Sequence, residues 1–567
     1  MAIFDRSTYE IQVLMDDHWI FNASLGNEAA ALAKAKELIE SRTYDGAKVV
    51  RLWQRSDGDE TEKVIWSKTT ERAQAPVRIV PIQDAPPCKD VEDFYGFQSR
   101  LTIGRLLRKY LDESGLIQSE MLHVHSAFKR YLDSELYPSS VDRVATVQCE
   151  GTDKDVRTRR DEIYAIIDKI TSRAMRAEGR QSIRRCNSTK IKDMIAAAED
   201  AVETSDERDF LVTFILCRET TQTRNLVGKL EWLLSSLPGD LAPRDMVIVD
   251  NLLADLVAAP TVVQELLGNQ KNLCTAICSL LDLIEGKECP HSPNVAETMG
   301  HLRTLFQNKR LPITTDAVLD FILRQIKGKG PLARNDASQE NDAFLTIMSR
   351  TFIGDRIIGG PEMADSLLVR HSRRMEQGGA TGIKQALDVI MSMIPEAAFR
   401  LRFLMALCRG GPHMAIAAAR MTTEAKRLTS INALCPPRST AAQKLRTVRA
   451  FQDAVETTHM IDDDKKAFLN AMDRLATDCL NQEKVIESLD DKKDSLRVRA
   501  ERLVKFCGSG ILREDGRALT LARSQVLNYL RQPNFIQEFT AGISDPKQAE
   551  AHIKAFYILL SQSGFKT

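Results

Sequence analysis

The sequence predicts a mainly α protein: a small N-terminal α+β head followed by a large multi-helix body. Three observations carry that prediction. Three of the four tryptophans, Trp19, Trp53 and Trp66, lie before residue 75, within strand-like alternation. After that point the apolar residues recur at helical spacing, with Trp232 as the remaining tryptophan. Between the two regions, residues 76–91 (PVRIVPIQDAPPCKDV) carry four prolines, which break both helix and sheet ladders.

The head reads as β-β-α-β-β. Tyr9, Ile11, Val13 and Met15 alternate with Glu10, Gln12 and Asp16, with Leu14 the apolar exception on the outer face. Asp16-Asp17 turns the chain and HWIFNAS returns as a second strand. Asn27 caps the helix EAAALAKAKELIESR, which is rich in strong helix formers. AKVVRLWQ and EKVIWSK follow as strands joined by the polar turn Ser56-Asp57-Gly58-Asp59. A single helix covers one sheet face, and the three tryptophans are expected to supply much of that core. The other face, or an edge strand, is then open to a partner. The head is taken as residues 1–74 and the proline-rich stretch 75–91 as a semi-rigid linker.

The body divides at polar or turn-rich breaks into 92–327, 328–434 and 435–567. Leu101, Ile103, Leu106, Leu107, Tyr110 and Leu111 form one apolar stripe in a helix ending near Gly115, and SEMLHVHSAFKRYLDSEL forms another. Pro243, Pro260 and Pro293 each stand at a helix start, where the missing N–H removes no bond. Gly330-Pro331, Gly360-Pro361 and Gly411-Pro412 share one punctuation, a glycine ending a helix and a proline opening the next, so a solenoid-like repeat is the alternative build. The stretch 441–506 reads as a two-helix hairpin broken near Asp490-Asp491. From Gly516 three short helices close on FYILL.

Composition bounds the function. The chain has 567 residues, enough for several cores. It is 43% hydrophobic and 28% charged, with 78 basic and 78 acidic residues. That balance argues against a global attraction to nucleic acid or an anionic membrane. The N-terminus does not read as a secretory signal, and the longest apolar run, near Phe210 to Cys217, falls far below the roughly 18 residues of a spanning helix. Eleven cysteines without a tight framework suit reduced thiols and a cytoplasmic protein.

No catalytic signature stands out. Cys274, Cys278, Cys289 and His291 offer soft donors, but at C-x3-C-x10-C-x-H spacing without the C-x2-C knuckle of zinc sites. His123 and His125, two apart on a helix, face different ways. His301-Leu302-Arg303-Thr304 resembles a phosphoacceptor box but lacks the nucleotide-binding motifs that go with one. Gly328-Lys329-Gly330 lacks the rest of a phosphate-binding loop. Asp462-Asp463-Asp464 fits the first turn of a helix. No cofactor is expected. The one regional bias is 154–192, with twelve basic against five acidic residues. There Arg157, Arg159, Arg160, Arg184 and Arg185 are candidates for an acidic partner surface or for phosphates, without the aromatic residues that base stacking needs. The expected function is a non-enzymatic cytoplasmic scaffold or regulator that binds proteins through its head, around Trp19, Trp53 and Trp66, and through its helical body, with self-association as a further mode. A nucleic-acid-associated regulator using the basic segment, and an enzyme with a dispersed site, are the alternatives.

Overall fold

The computed structural model describes residues 8–15, 18–40, 46–54, 60–69, 79–204, 207–334, 338–354, 356–373, 375 and 378–565. The protein is mainly α with a four-stranded antiparallel sheet at its N-terminus, as the sequence predicts. The strands are β1 (Thr8–Met15), β2 (His18–Leu25), β3 (Gly46–Gln54) and β4 (Glu60–Thr69), in the order β2-β1-β3-β4. One helix, α1 (Glu28–Glu40), covers one face. The Asn27 side chain accepts from the Ala30 amide at 3.2 Å and starts α1. The turns expected at Asp16-Asp17 and Ser56–Asp59 lie outside the described residues.

The head core is more aliphatic than expected. Its buried members are Tyr9, Ile11, Val13, Ala47 and Val49 from the sheet and Ala31, Ala35 and Ile39 from α1. The alanines let the helix lie close to the sheet and leave little room for indoles. Trp66 packs at the margin of this core and Trp53 is half-buried; the Trp19 side chain lies outside the described residues.

The chain forms two compact units, residues 1–116 with 125–173, and residues 117–124 with 174–567. The boundaries expected at 328 and 435 do not coincide with that division. In the first unit, the described part of the proline-rich stretch, 79–90, is pinned down rather than left as a spacer. Arg143 donates to the Ile82 carbonyl, Gln148 to Pro86 at 2.6 Å and Arg159 to Cys88 at 2.6 Å, while Val80 N–H bonds the Leu106 carbonyl at 2.9 Å. An extended, proline-bearing segment has carbonyls with no ladder partner, and helix side chains supply the donors. The unit's own core includes a chain of rings, Tyr110–Tyr131–Tyr137–Tyr164, with centroids 5.5 to 5.9 Å apart. The stripe expected as one helix is two, Phe97–Leu106 and Arg108–Ser114, closed by left-handed Gly115.

In the second unit, the helix Gln118–His123 is buried at every residue. The expected continuous helix from Ser119 breaks at Val124, which is extended, so His123 and His125 belong to different helices. Glu120 and Lys229 meet at 2.6 Å with neither side chain exposed. Burial raises the Glu120 carboxyl and lowers the Lys229 ammonium, and their mutual contact opposes both shifts. Ser119 donates its amide and hydroxyl to Asp255 at 2.8 and 2.6 Å, and the His123 ring stacks on Phe210 at 5.0 Å.

Asp255 belongs to the helix Pro243–Val257, which Pro243 opens as expected; Pro260 and Pro293 also stand at helix starts. Among the described residues no single helix is long and apolar enough to cross a membrane. Pro361 opens the helix Gly360–Ser372, but Pro331 lies in a loop and Pro412 in a turn before Met414–Arg427, so the three Gly-Pro pairs share no single geometry. The expected hairpin over 441–506 is instead four helices, Ala441–Glu456, Asp462–Gln482, Val485–Leu489 and Leu496–Cys507. Arg517–Leu530, Phe535–Phe539 and Pro546–Gln562 are the three expected C-terminal helices.

Replacing Lys229 with Met leaves the buried Glu120 carboxylate uncompensated and should destabilise the second unit by about 3–5 kcal/mol. Adding Glu120→Leu should recover part of the loss. Thermal unfolding of the three proteins checks this, and an unchanged midpoint for Lys229→Met refutes it.

Candidate interaction surface

The face of the head sheet opposite α1 is the strongest candidate surface. Residues paired across an antiparallel ladder share a face. Ile11, paired with Ala23 and Val49, marks the helix side. Gln12 pairs with Phe21 and Lys48, and Val50 pairs with Glu10 and Val64, which marks the open side. The register shifts once in each edge pairing: between Ile11 and Gln12, passing over Asn22 of β2, and between Val49 and Val50, passing over Ile65 of β4. An extra residue in one strand reverses the alternation beyond it. Without these bulges Phe21 and Val64 would face the helix. With them they turn outward, 57% and 51% exposed. Leu14 and Leu52 lie on the same open side, and Val50 is buried at its centre.

Trp66 and Trp53 do not lie there. Trp66 pairs with Val49 on the helix side. Trp53, at the end of β3, lies under the Arg51 guanidinium at 5.2 Å from the ring centroid. Trp19, opposite Leu14, falls on the open side by register. Phe21 and Val64 escaped the sequence reading because they sit in WIF and VIW, apolar triplets where strict alternation allows one face only two. Such a triplet in a half-covered strand is the available sign of a bulge.

The basic segment is largely engaged with the protein itself. Arg159 is 5% exposed and donates to Gln148, Glu162 and the Cys88 carbonyl. Arg160 pairs with Asp142 at 3.5 Å, Arg173 with Glu92 at 2.6 Å, and Lys154 with Glu162 at 2.7 Å. In the second unit Arg180 pairs with Glu203 and Glu207, Lys192 pairs with Asp240 at 2.7 Å, and Arg184 donates to the Glu178 carbonyl at 2.6 Å. Arg157, Arg176 and Arg185 stay exposed. The Cys88 and Glu178 carbonyls and neighbouring carboxylates thus engage seven of the twelve basic residues.

Cys274 donates to the Ala343 carbonyl at 3.4 Å, and His291 Nδ1 lies 2.9 Å from the Cys289 carbonyl. Hydrogen bonding between the Cys274 and Cys278 thiols, one turn apart, lowers the first and raises the second. Among the described residues no group of three or more His, Cys, Asp or Glu side chains is placed to hold a metal ion. His301 lies within the helix Ala296–Gln307, and Asp462-Asp463-Asp464 form the first turn of Asp462–Gln482.

Because Phe21 and Val64 are exposed, the double change Phe21→Asp with Val64→Asp should cost head stability no more than about 1 kcal/mol per site, the span of strand propensity. Ile11→Ala, in the buried core, should cost about 2–5 kcal/mol. Thermal unfolding distinguishes them: a large loss in the double variant would mean that the open face is packed, not presented.

The chain matches no protein-family model, no curated protein and no solved structure.

Proposed function

We propose that the protein is a non-enzymatic cytoplasmic adaptor whose head sheet docks an apolar surface of a partner protein. The observation that carries the reading is the pair of bulges that turn Phe21 and Val64 onto the open sheet face. Burying two large apolar side chains against a partner contributes roughly 1.5–3 kcal/mol each. Lys48, Glu10 and Gln12 beside them can fix orientation. A cytoplasmic setting is supported by the eleven cysteines, none of which forms a disulfide.

The nucleic-acid alternative draws less support, because Arg159, Arg160, Arg173, Arg180 and Arg184 already have partners within the chain. Phosphate binding would have to break those contacts or rest on the few exposed arginines.

Affinity capture with the full-length chain, with and without nuclease, tests the proposal. A partner retained by the wild type and by Arg184→Glu/Arg185→Glu, insensitive to nuclease, and lost with Phe21→Asp/Val64→Asp is the expected result. Recovery that collapses on nuclease treatment or with the arginine variant, and survives the sheet variant, overturns it.

A further inference from the structure

The second unit contains a cleft of about 420 Å3, within the size range of small-molecule sites. Its walls come from the ends of the helices Leu273–Ile284 and Ala296–Gln307, the first turns of Pro312–Lys327, and the strand Arg356–Ile357 with the two residues after it. Pro312, Thr315, Asp316 and Leu319 recur at spacings of three and four and present one helix face to it. Ile284, Phe306 and Leu311 make a buried apolar floor.

Two helices end at this cleft in the same way. After Leu273–Ile284, Gly286 is left-handed at φ 70° and the Lys287 N–H bonds back to the Asp282 carbonyl at 2.8 Å. After Ala296–Gln307, Lys309 is left-handed at φ 54° and the Arg310 N–H bonds back to the Leu305 carbonyl at 3.0 Å. Glycine is the usual residue at this closing position. It is required at 286, where a Cβ would stand 2.8 Å from the Gln307 Cα. At 309 the chain carries lysine at a backbone cost of roughly 1–2 kcal/mol. The Lys309 side chain lines the cleft.

The charges lining the cleft select the ligand. Glu285 and Arg356 approach at 3.7 Å. Lys309 and Asp316 line the same cleft, and among the described residues neither side chain makes an ion pair or hydrogen bond, with each other or with a third group. Partial desolvation raises the Asp316 carboxyl above its usual range. An anionic ligand would meet Asp316, and a cationic one would meet Lys309. A neutral apolar ligand would desolvate both charges and satisfy neither. A zwitterion with an apolar body satisfies all three features.

We infer that this cleft binds a small zwitterion with an apolar side chain, the chemical class of hydrophobic and aromatic α-amino acids. The carboxylate sits at Lys309, the ammonium at Asp316, and the side chain lies on the Phe306 and Leu311 floor.

Calorimetric titration of the full-length protein with L-phenylalanine and L-leucine tests this. At least one should bind. N-acetyl-L-phenylalanine, which lacks the ammonium, phenethylamine, which lacks the carboxylate, and glycine, which lacks the apolar group, should each bind at least about tenfold more weakly. Lys309→Gly should raise the unfolding midpoint by relieving the left-handed strain, yet weaken amino-acid binding at least about tenfold. Asp316→Asn, an exposed and near-isosteric change, should weaken it similarly without unfolding the protein. Absence of binding by both amino acids, or affinity unchanged in either variant, overturns the inference.

Discussion

The helix Pro243–Val257 is apolar along most of its length, yet Asp245, Asp250 and Asp255 on it are all buried. Their five-residue spacing places successive carboxyls about 140° apart around the axis, so they point to three different neighbours. Asp245 meets Arg208 at 2.8 Å. Asp250 accepts from the Ile313 and Thr314 amides at 2.8 and 2.9 Å, capping Pro312–Lys327. Asp255 caps the buried Gln118–His123 helix through Ser119. A buried carboxylate is costly unless its lone pairs are filled, and a helix N-terminus has amides with no intrahelical partner. Each deficit satisfies the other, which fixes both position and direction.

The same solution recurs beyond that helix. Asp473 accepts from the Arg517 amide at 2.7 Å at the start of Arg517–Leu530. Glu340 accepts from the Leu332 and Ala333 amides at 2.8 and 3.1 Å while also pairing with Arg370 at 3.0 Å. Arg370 in turn donates to the Ile326, Gly328 and Gly330 carbonyls, closing the end of Pro312–Lys327. Apolar burial alone is non-directional. These charge-assisted caps give it direction, and they explain how many short helices can hold a defined arrangement, including the walls of the cleft at Lys309.

The head uses a different device. Its sheet is too small to bury both faces, and a single α1 covers one. The bulges in β2 and β4 interrupt the edge strands, which discourages edge pairing, and they move Phe21 and Val64 from the covered face to the open one. Geometry, more than composition, makes that face apolar.

Sequence by itself determined the fold class, the head topology, the proline helix starts and the three C-terminal helices, because these follow from local periodicity and backbone chemistry. It also marked the Gly115 stop, where a left-handed residue is needed. Tertiary structure decided the break at Val124, directly after the helix that buries Glu120 against Lys229. It decided that residues 79–90 are fastened by Arg143, Gln148 and Arg159, and that most of the arginines of 154–192 are internal partners rather than a presented patch. The left-handed Lys309 was equally out of reach. Each depends on which distant group supplies the missing donor, acceptor or space, and no local pattern in the chain records that.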